Sequence, residues 1–364
     1  MTHRVAAIDC GTNSIRLLIA DITSHSDYSE RSRGSAPPAR PALHPGQPGQ
    51  QATTTLTDIA REMRIVRLGE GVDRTGRLSR AALDRTIGAL REYAGLIAEA
   101  KPEAVRMVAT SATRDAANSQ EFTDRVIEVL GIAPEVISGD EEAWLSFTGA
   151  TRELAAGELA VTGLTGATLA AEDAAPQPPY LVTDIGGGST EFILGGPEGV
   201  RGTRSVNIGC VRMTERHLHT DPPLEREVAE TTVDIDAALD LIATVIPTSE
   251  ARTLVGLAGS VTTVAAIALG LDRYDSDRIH HSRVSAARVR EIAGELLAMT
   301  RTERAAIGGM HPGRVDVIAA GALVLDRIMT RFGFAEVLVS EHDILDGIAW
   351  SVFPEVNDQD RGFL

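Results

Sequence analysis

Cysteine and lysine are nearly missing from this chain: its 364 residues include two cysteines, Cys10 and Cys210, and one lysine, Lys101. Two cysteines supply neither a disulfide framework nor a paired-cysteine zinc site, and they suit a reducing compartment. With Lys101 the only lysine there is no phosphate-loop lysine, and arginine is left as the cation for any anionic ligand; its planar fork matches phosphate oxygens. A GC-rich coding sequence accounts for the same bias equally well. No apolar run reaches the ~18 residues that a membrane span needs. The opening MTHRVAAIDCG runs straight into a strand pattern without the apolar stretch and cleavage site of a secretory signal, so the expected location is the cytoplasm. Basic residues are outnumbered 35 to 51, giving a formal net charge of −16. Such a chain repels polyanions at long range, and nucleic acid is not an expected partner. What is present is ordinary globular material, 43% hydrophobic and 24% charged, with length enough for about two domains.

Residues 4–22 read as a β-hairpin, with Val5, Ala6, Ala7 and Ile8 leading into a tight turn and Leu17, Leu18, Ile19 and Ile22 leading out. From 23 to 57 the composition is Ser, Pro, Gly, Gln, Thr and Arg, with few large apolar residues, which predicts a disordered insertion. Strand character returns over 63–68. Leu83, Ile87, Leu90, Leu96 and Ile97 recur near the 3.6-residue period and predict a helix over 79–99. A strand over 105–109 and helices over 119–131 and 140–153 follow. Ser138, Gly139 and Asp140 are capping candidates for the last of these, and Glu141 and Glu142 fall in its first turn. Residues 156–178 read as a surface loop.

One device occurs twice. Asp9-Cys10-Gly11-Thr12-Asn13-Ser14-Ile15-Arg16 and Asp184-Ile185-Gly186-Gly187-Gly188-Ser189-Thr190-Glu191 place Asp, Gly and Ser alike, each between two strand-like runs. Glycines at such a turn let several backbone N–H groups converge on one point and form an anion nest that needs no lysine. Neither copy reads GxxxxGK or GxGxxG, and both lead into strands rather than helices, which disfavours the P-loop and dinucleotide folds. The wide separation of the copies suggests duplicated domains facing each other across a cleft rather than a repeat array. Where the second turn has Glu191, the first has Arg16, so the cleft is expected to have a cationic wall for phosphate and a carboxylate wall for water and metal.

IDCGTNSIRLLIAD, RLGEGVDRTGRL, VATSATRDAAN, EVISGDEEAWLSFTGA, VTDIGGGSTEFIL and VGLAGSVTTVAA, in this order, resemble the exopolyphosphatase and guanosine pentaphosphate phosphohydrolase family. The likeness covers nearly the whole chain outside 23–57 and 156–178. It implies an α/β fold of two ribonuclease-H-like (actin-like ATPase) domains with the active site between them. The boundaries expected are 1–137 plus 343–364 for the first domain and 138–342 for the second. By the resemblance, Glu142 is the catalytic base that aims or deprotonates water, an assignment that suits phosphoryl transfer. Asp184 is a metal-associated aspartate and Glu191 its partner carboxylate, with a role in catalysis as well, and magnesium is the implied cofactor. The phosphate-binding set is Gly11, Thr12, Asn13, Ser14 and Arg16 on the first turn and Gly186, Gly187, Gly188 and Ser189 on the second. Arg114 resembles a phosphate-contacting arginine, and Arg67 opens RLGEGVD on the same domain; a solvated-surface role is open for both. Gly259 and Ser260 sit in a strand-to-helix turn that could contact a nucleotide, a further phosphate, or nothing. His342 and Asp343 either open the last helix or reach the cleft. His217, His219, His280 and His281 lack a metal-ligand pattern and are read as surface residues.

The resemblance implies inorganic polyphosphate or guanosine pentaphosphate as substrate, and a homodimer. Longer members of the family carry an extra C-terminal helical region, while this sequence stops at Leu364. With the acidic net charge, that favours short polyphosphate chains over long ones. A non-catalytic sensor of guanosine tetra- or pentaphosphate and a kinase of the same superfamily are the rival readings.

Overall fold

The computed structural model describes residues 1–25, 53–155 and 175–353. Eleven strands among them form two sheets. The first contains β1 (Thr2–Cys10), β2 (Ser14–His25), β3 (Thr53–Ile65), β4 (Ala104–Ala109) and β5 (Glu135–Val136), in the order β3-β2-β1-β4-β5. The second contains β6 (Tyr180–Ile185), β7 (Thr190–Gly196), β8 (Gly199–Val206), β9 (Thr253–Leu257), β10 (Arg283–Ser285) and β11 (Glu336–Val339), in the order β10-β11-β9-β6-β7-β8. Each sheet begins with three antiparallel strands and then adds a strand parallel to the first of them, β4 beside β1 and β9 beside β6. This is the ribonuclease-H-like arrangement, present twice, as the paired turns suggested.

The apolar run Val5-Ala6-Ala7-Ile8 has no polar alternation because both faces of β1 are covered. Ala6, Ile8 and Cys10 join a core with Leu83, Ile87, Leu90 and Phe122 from the helices Arg80–Ala100 and Ser119–Leu130. Val5 and Ala7 face the other way, toward Leu145 and toward Ile344, Leu345 and Ile348 of helix Ile344–Ser351. Helix Gly139–Ala155 turns a second stripe, Ala143, Phe147, Ala150 and Leu154, to Val182, Ile193 and Val255 of the second sheet. These two helices therefore lie back to back between the sheets. They approach so closely that a Cβ on Gly347 would stand 2.0 Å from the Leu145 carbonyl oxygen, and one on Gly149 would stand 1.9 Å from that of Asp343. The chain passes from one sheet to the other twice, once into each of these helices.

Two sequence expectations need correction. Residues 23–25 and 53–57, expected within a disordered insertion, are strand, and 66–68, expected as strand, are not. None of residues 54–65 is buried, so hydrophobic patterning carries little signal there; β3 is held by backbone pairing along β2, from Ser14 opposite Ile65 to His25 opposite Thr53. The rest of the expected insertion, 26–52, and most of the expected loop, 156–174, lie outside the described residues. No helix among the described residues is long and apolar enough to cross a membrane.

Candidate active site

The two Gly-rich turns meet. In the first, Gly11 N–H donates to the Ser14 carbonyl at 2.9 Å, and Asp9 stands opposite Arg16 at the turn's mouth. In the second, Asp184 stands opposite Glu191 in the equivalent register. A Cβ on Gly187 would lie 2.9 Å from Thr12 Cβ, and one on Gly188 would lie 2.7 Å from Ser111 Oγ, so glycine is what lets the turns touch. The Thr12 and Ser111 hydroxyls are themselves 2.9 Å apart. RLGEGVD and the Val66 before it brace the first turn: the amides of Val66 and Arg67 donate to the Asn13 carbonyl at 3.0 and 2.9 Å, and that of Gly69 to the Thr12 carbonyl at 2.8 Å.

A cleft opens where the turns meet. Gly11, Thr12, Asn13, Ser14 and Arg16 of the first turn and Asp184, Gly186, Gly187 and Ser189 of the second line it, together with Glu142, Gly259 and Ser260. Ser138 Oγ accepts from the Glu141 amide at 3.1 Å, starting the helix so that Glu142 projects from its first turn. Arg114 Nη1 donates to Glu142 Oε2 at 3.2 Å and to the Ile137 carbonyl at 2.9 Å. Arg114 therefore stands behind Glu142 rather than offering its fork to the cleft. Glu191, 1% exposed, and Gly188 are also set back from the cleft wall, the first bonded by Ser205 Oγ at 2.7 Å and the second packed on Ser111.

Three further placements bear on the cleft's charge, and the first departs from expectation. Arg16 is clasped by Asp9, at 2.7 Å from Nη2, and by Asp343, so the cationic wall is offset by two carboxylates. Asp343 does both things left open for it, capping its helix by accepting from the Leu345 amide at 3.0 Å and pairing with Arg16. Arg67 turns away from the cleft to Asp316, at 2.6 Å. Of the histidines, His217 bonds Asp234 at 2.9 Å, and the half-buried rings of His280 and His281 stack at 3.7 Å, with His342 4.7 Å from His280.

With this geometry, comparison with known proteins is decisive. The model of the Ppx/GppA phosphatase family matches residues 49–355, well over half of the chain. Exopolyphosphatase 2 of Mycobacterium tuberculosis is 46% identical over 358 residues, covering 96% of this chain and 98% of the relative. The chain belongs to the Ppx/GppA phosphatase family. Among solved structures, an exopolyphosphatase-like protein aligns with TM-score 0.78 at 39% identity, covering 96% of this chain and 98% of that one. The Aquifex aeolicus PPX-GPPA enzyme aligns with TM-score 0.70 at 29% identity, covering 96% and 99%.

In this member of the Ppx/GppA family the cleft concentrates buried carboxylates. Burial, then repulsion from Glu191, raises Glu142 well above the usual carboxylate range, with Arg114 opposing. Asp184 is pushed up to about 8 by burial and by Glu191, and Glu191 itself is raised by burial. Burial also raises Asp9, although Arg16 opposes it, whereas at Asp343 the burial penalty is outweighed by Arg16. One cleft residue was invisible to the sequence reading: Arg314, whose guanidinium lies where a Cβ on Gly259 would be, 1.4 Å from Nη1. It comes from a single 3-10 turn, Pro312–Arg314, which has no periodicity to betray it.

Proposed function

We propose that this chain is an exopolyphosphatase that removes the terminal phosphate of inorganic polyphosphate as orthophosphate. The observation that carries the reading is the convergence of both turns and Glu142 on one cleft in a chain 46% identical to an exopolyphosphatase. The backbone amides of the turns, with the hydroxyls of Thr12, Ser14 and Ser189, hold the terminal phosphate, and Arg314 faces the same space. Glu142, kept in place by Arg114, takes the proton from water as the water oxygen bonds to the terminal phosphorus. The anhydride P–O bond breaks, and the chain leaves one phosphate shorter.

Five carboxylates, Asp9, Glu142, Asp184, Glu191 and Asp343, gather around three arginines, Arg16, Arg114 and Arg314. That excess suits a divalent cation when an anionic substrate must enter. The donors are all oxygens, and Asp9 Oδ1 is buried with no hydrogen-bond partner, which fits magnesium. Among the described residues no three such side chains form a ready-made cluster, consistent with an ion that keeps waters and completes its shell on phosphate. Asp184 and Glu191 are the residues we assign to hold it, and when bound it would neutralise charge on the phosphate oxygens.

A second reading, guanosine pentaphosphate phosphohydrolase, is favoured by one feature. A cavity of about 550 Å³ adjoins the cleft, shares Arg16, Gly259 and Arg314 with it, and is lined by Met63, Tyr274, Met310 and Pro312, surfaces suited to a nucleoside. The net charge of −16 supports a preference for short chains, which find less repulsion than long ones. A cytoplasmic homodimer is the form proposed, and light scattering measures its mass. Phosphate release from tripolyphosphate, long polyphosphate, guanosine pentaphosphate and ATP, with and without magnesium, tests the reading. We expect the fastest release from short polyphosphate with magnesium. Tight binding of guanosine pentaphosphate with no release from any substrate would instead identify a sensor.

A further inference from the structure

Helix Gly139–Ala155 brings more to the cleft than Glu142. One turn further on, Ser146 is fully buried among apolar neighbours, and its hydroxyl donates to Asp184 Oδ2 at 2.8 Å. Other buried hydroxyls on helices, one of them on this same helix, behave differently. Thr86 bonds back to the Ala82 carbonyl at 2.8 Å, Thr151 to Phe147 at 2.8 Å and Thr231 to Glu227 at 2.7 Å, each four residues earlier in its own helix. Ser146 has the same option and takes the carboxylate instead. An alanine there would propagate the helix better and avoid burying a polar group, so helix formation and core packing do not call for serine.

We propose that Ser146 is a positioning residue for the reaction, acting through Asp184. By occupying Oδ2 it fixes the carboxylate rotamer and leaves Oδ1, to which no group among the described residues donates, to serve the cleft that Asp184 lines. Because residues four apart share a helix face, Glu142 and Ser146 move together, so the water-activating carboxylate and the metal-facing carboxylate are set by one rigid element. The N-terminus of that helix is seated on the other side of the pair: a Cβ on Gly139 would lie 2.6 Å from Cβ of Ser205, the residue that holds Glu191. The helix thus spans both carboxylates of the second turn.

The inference rests on the exopolyphosphatase reading for its kinetic consequence and on magnesium for its binding consequence, and the two are measured apart. Ser146→Ala is compared with the parent chain in turnover of tripolyphosphate and, without substrate, in the magnesium concentration that half-saturates the rise in melting temperature. We expect kcat to fall about tenfold with KM within about twofold, and the magnesium midpoint to rise about tenfold, while the melting temperature in EDTA stays level or rises slightly. Unchanged kcat and an unchanged magnesium midpoint would overturn the role of Ser146. If the parent chain releases no phosphate but Ser146→Ala still shifts the magnesium midpoint, the exopolyphosphatase reading falls and the positioning role stands.

Discussion

The first and second turns are built on the same hairpin, yet one exchanged residue gives them opposite electrostatics. Across the mouth of the first, Asp9 faces Arg16 and the pair is closed by hydrogen bonds at 3.0 and 2.7 Å. Across the mouth of the second, Asp184 faces Glu191, and burial and then Glu191 raise the cost of ionising Asp184. The first turn's carboxylate is therefore paired with a cation already in the chain, while the second stores repulsion that a cation or a proton can relieve. Glycine follows the same division. A Cβ on Gly11 would meet only the Ser14 carbonyl at an ordinary 3.5 Å, whereas Gly187 and Gly188 lie where the turns are pressed together.

The largest effect is expected where the second turn meets its base. Glu142→Gln keeps the shape and the contact with Arg114 but cannot accept a proton. Phosphate release should fall by about 10³-fold with substrate binding retained, as read by single-turnover assay and calorimetry. Breaking the finished pair of the first turn should act on stability instead. Arg16→Met leaves Asp9 and Asp343 buried without their cation, and urea unfolding should show a loss of about 3 kcal/mol.

The glycines sharpen the contrast further. Gly187→Ala should lower kcat/KM about tenfold by forcing Thr12 away from the second turn, while Gly11→Ala should change it less than about twofold.

The smallest effect concerns pH. Asp184 rises from an ordinary carboxylate value when unfolded to about 8 when folded, so between those values the folded state binds more protons than the unfolded one. Stability in EDTA should therefore be greatest at low pH within this window and decline as pH rises toward about 8. Glu191→Gln removes the repulsion and should flatten that slope, which thermal melts from pH 5 to pH 8 would measure. An equal slope in both proteins would deny the repulsion.

The parts of this site legible in the sequence were those written as local patterns. Both turns, the helix opened at Ser138 and the position of Glu142 in its first turn follow from glycine, capping and strand signals within a few residues. The brace by RLGEGVD was seen as a motif, but its work was not, because it bonds the first turn through backbone amides that any side chain would carry. Arg16 by its place in the first turn and Arg114 by resemblance are expected to bind phosphate, while Arg67 is left between that and the surface. Sequence does not say which carboxylate lies nearby, and here Asp9 with Asp343, Glu142, and Asp316 claim them. Arg314 reaches the cleft, and Ser146 reaches Asp184, only through contacts between segments far apart in the chain, and β3 is held by pairing rather than burial.

The claim beneath all of this is that one phosphate is held by both turns at once. The direct test is a crystal structure with magnesium and imidotriphosphate, whose nitrogen bridges resist hydrolysis. The account predicts a terminal phosphoryl group within hydrogen-bond reach of amides from both 11–14 and 186–189, with Glu142 on its open side. A terminal group seated in the Tyr274 and Met310 cavity, with the turns bare of phosphate, would contradict it.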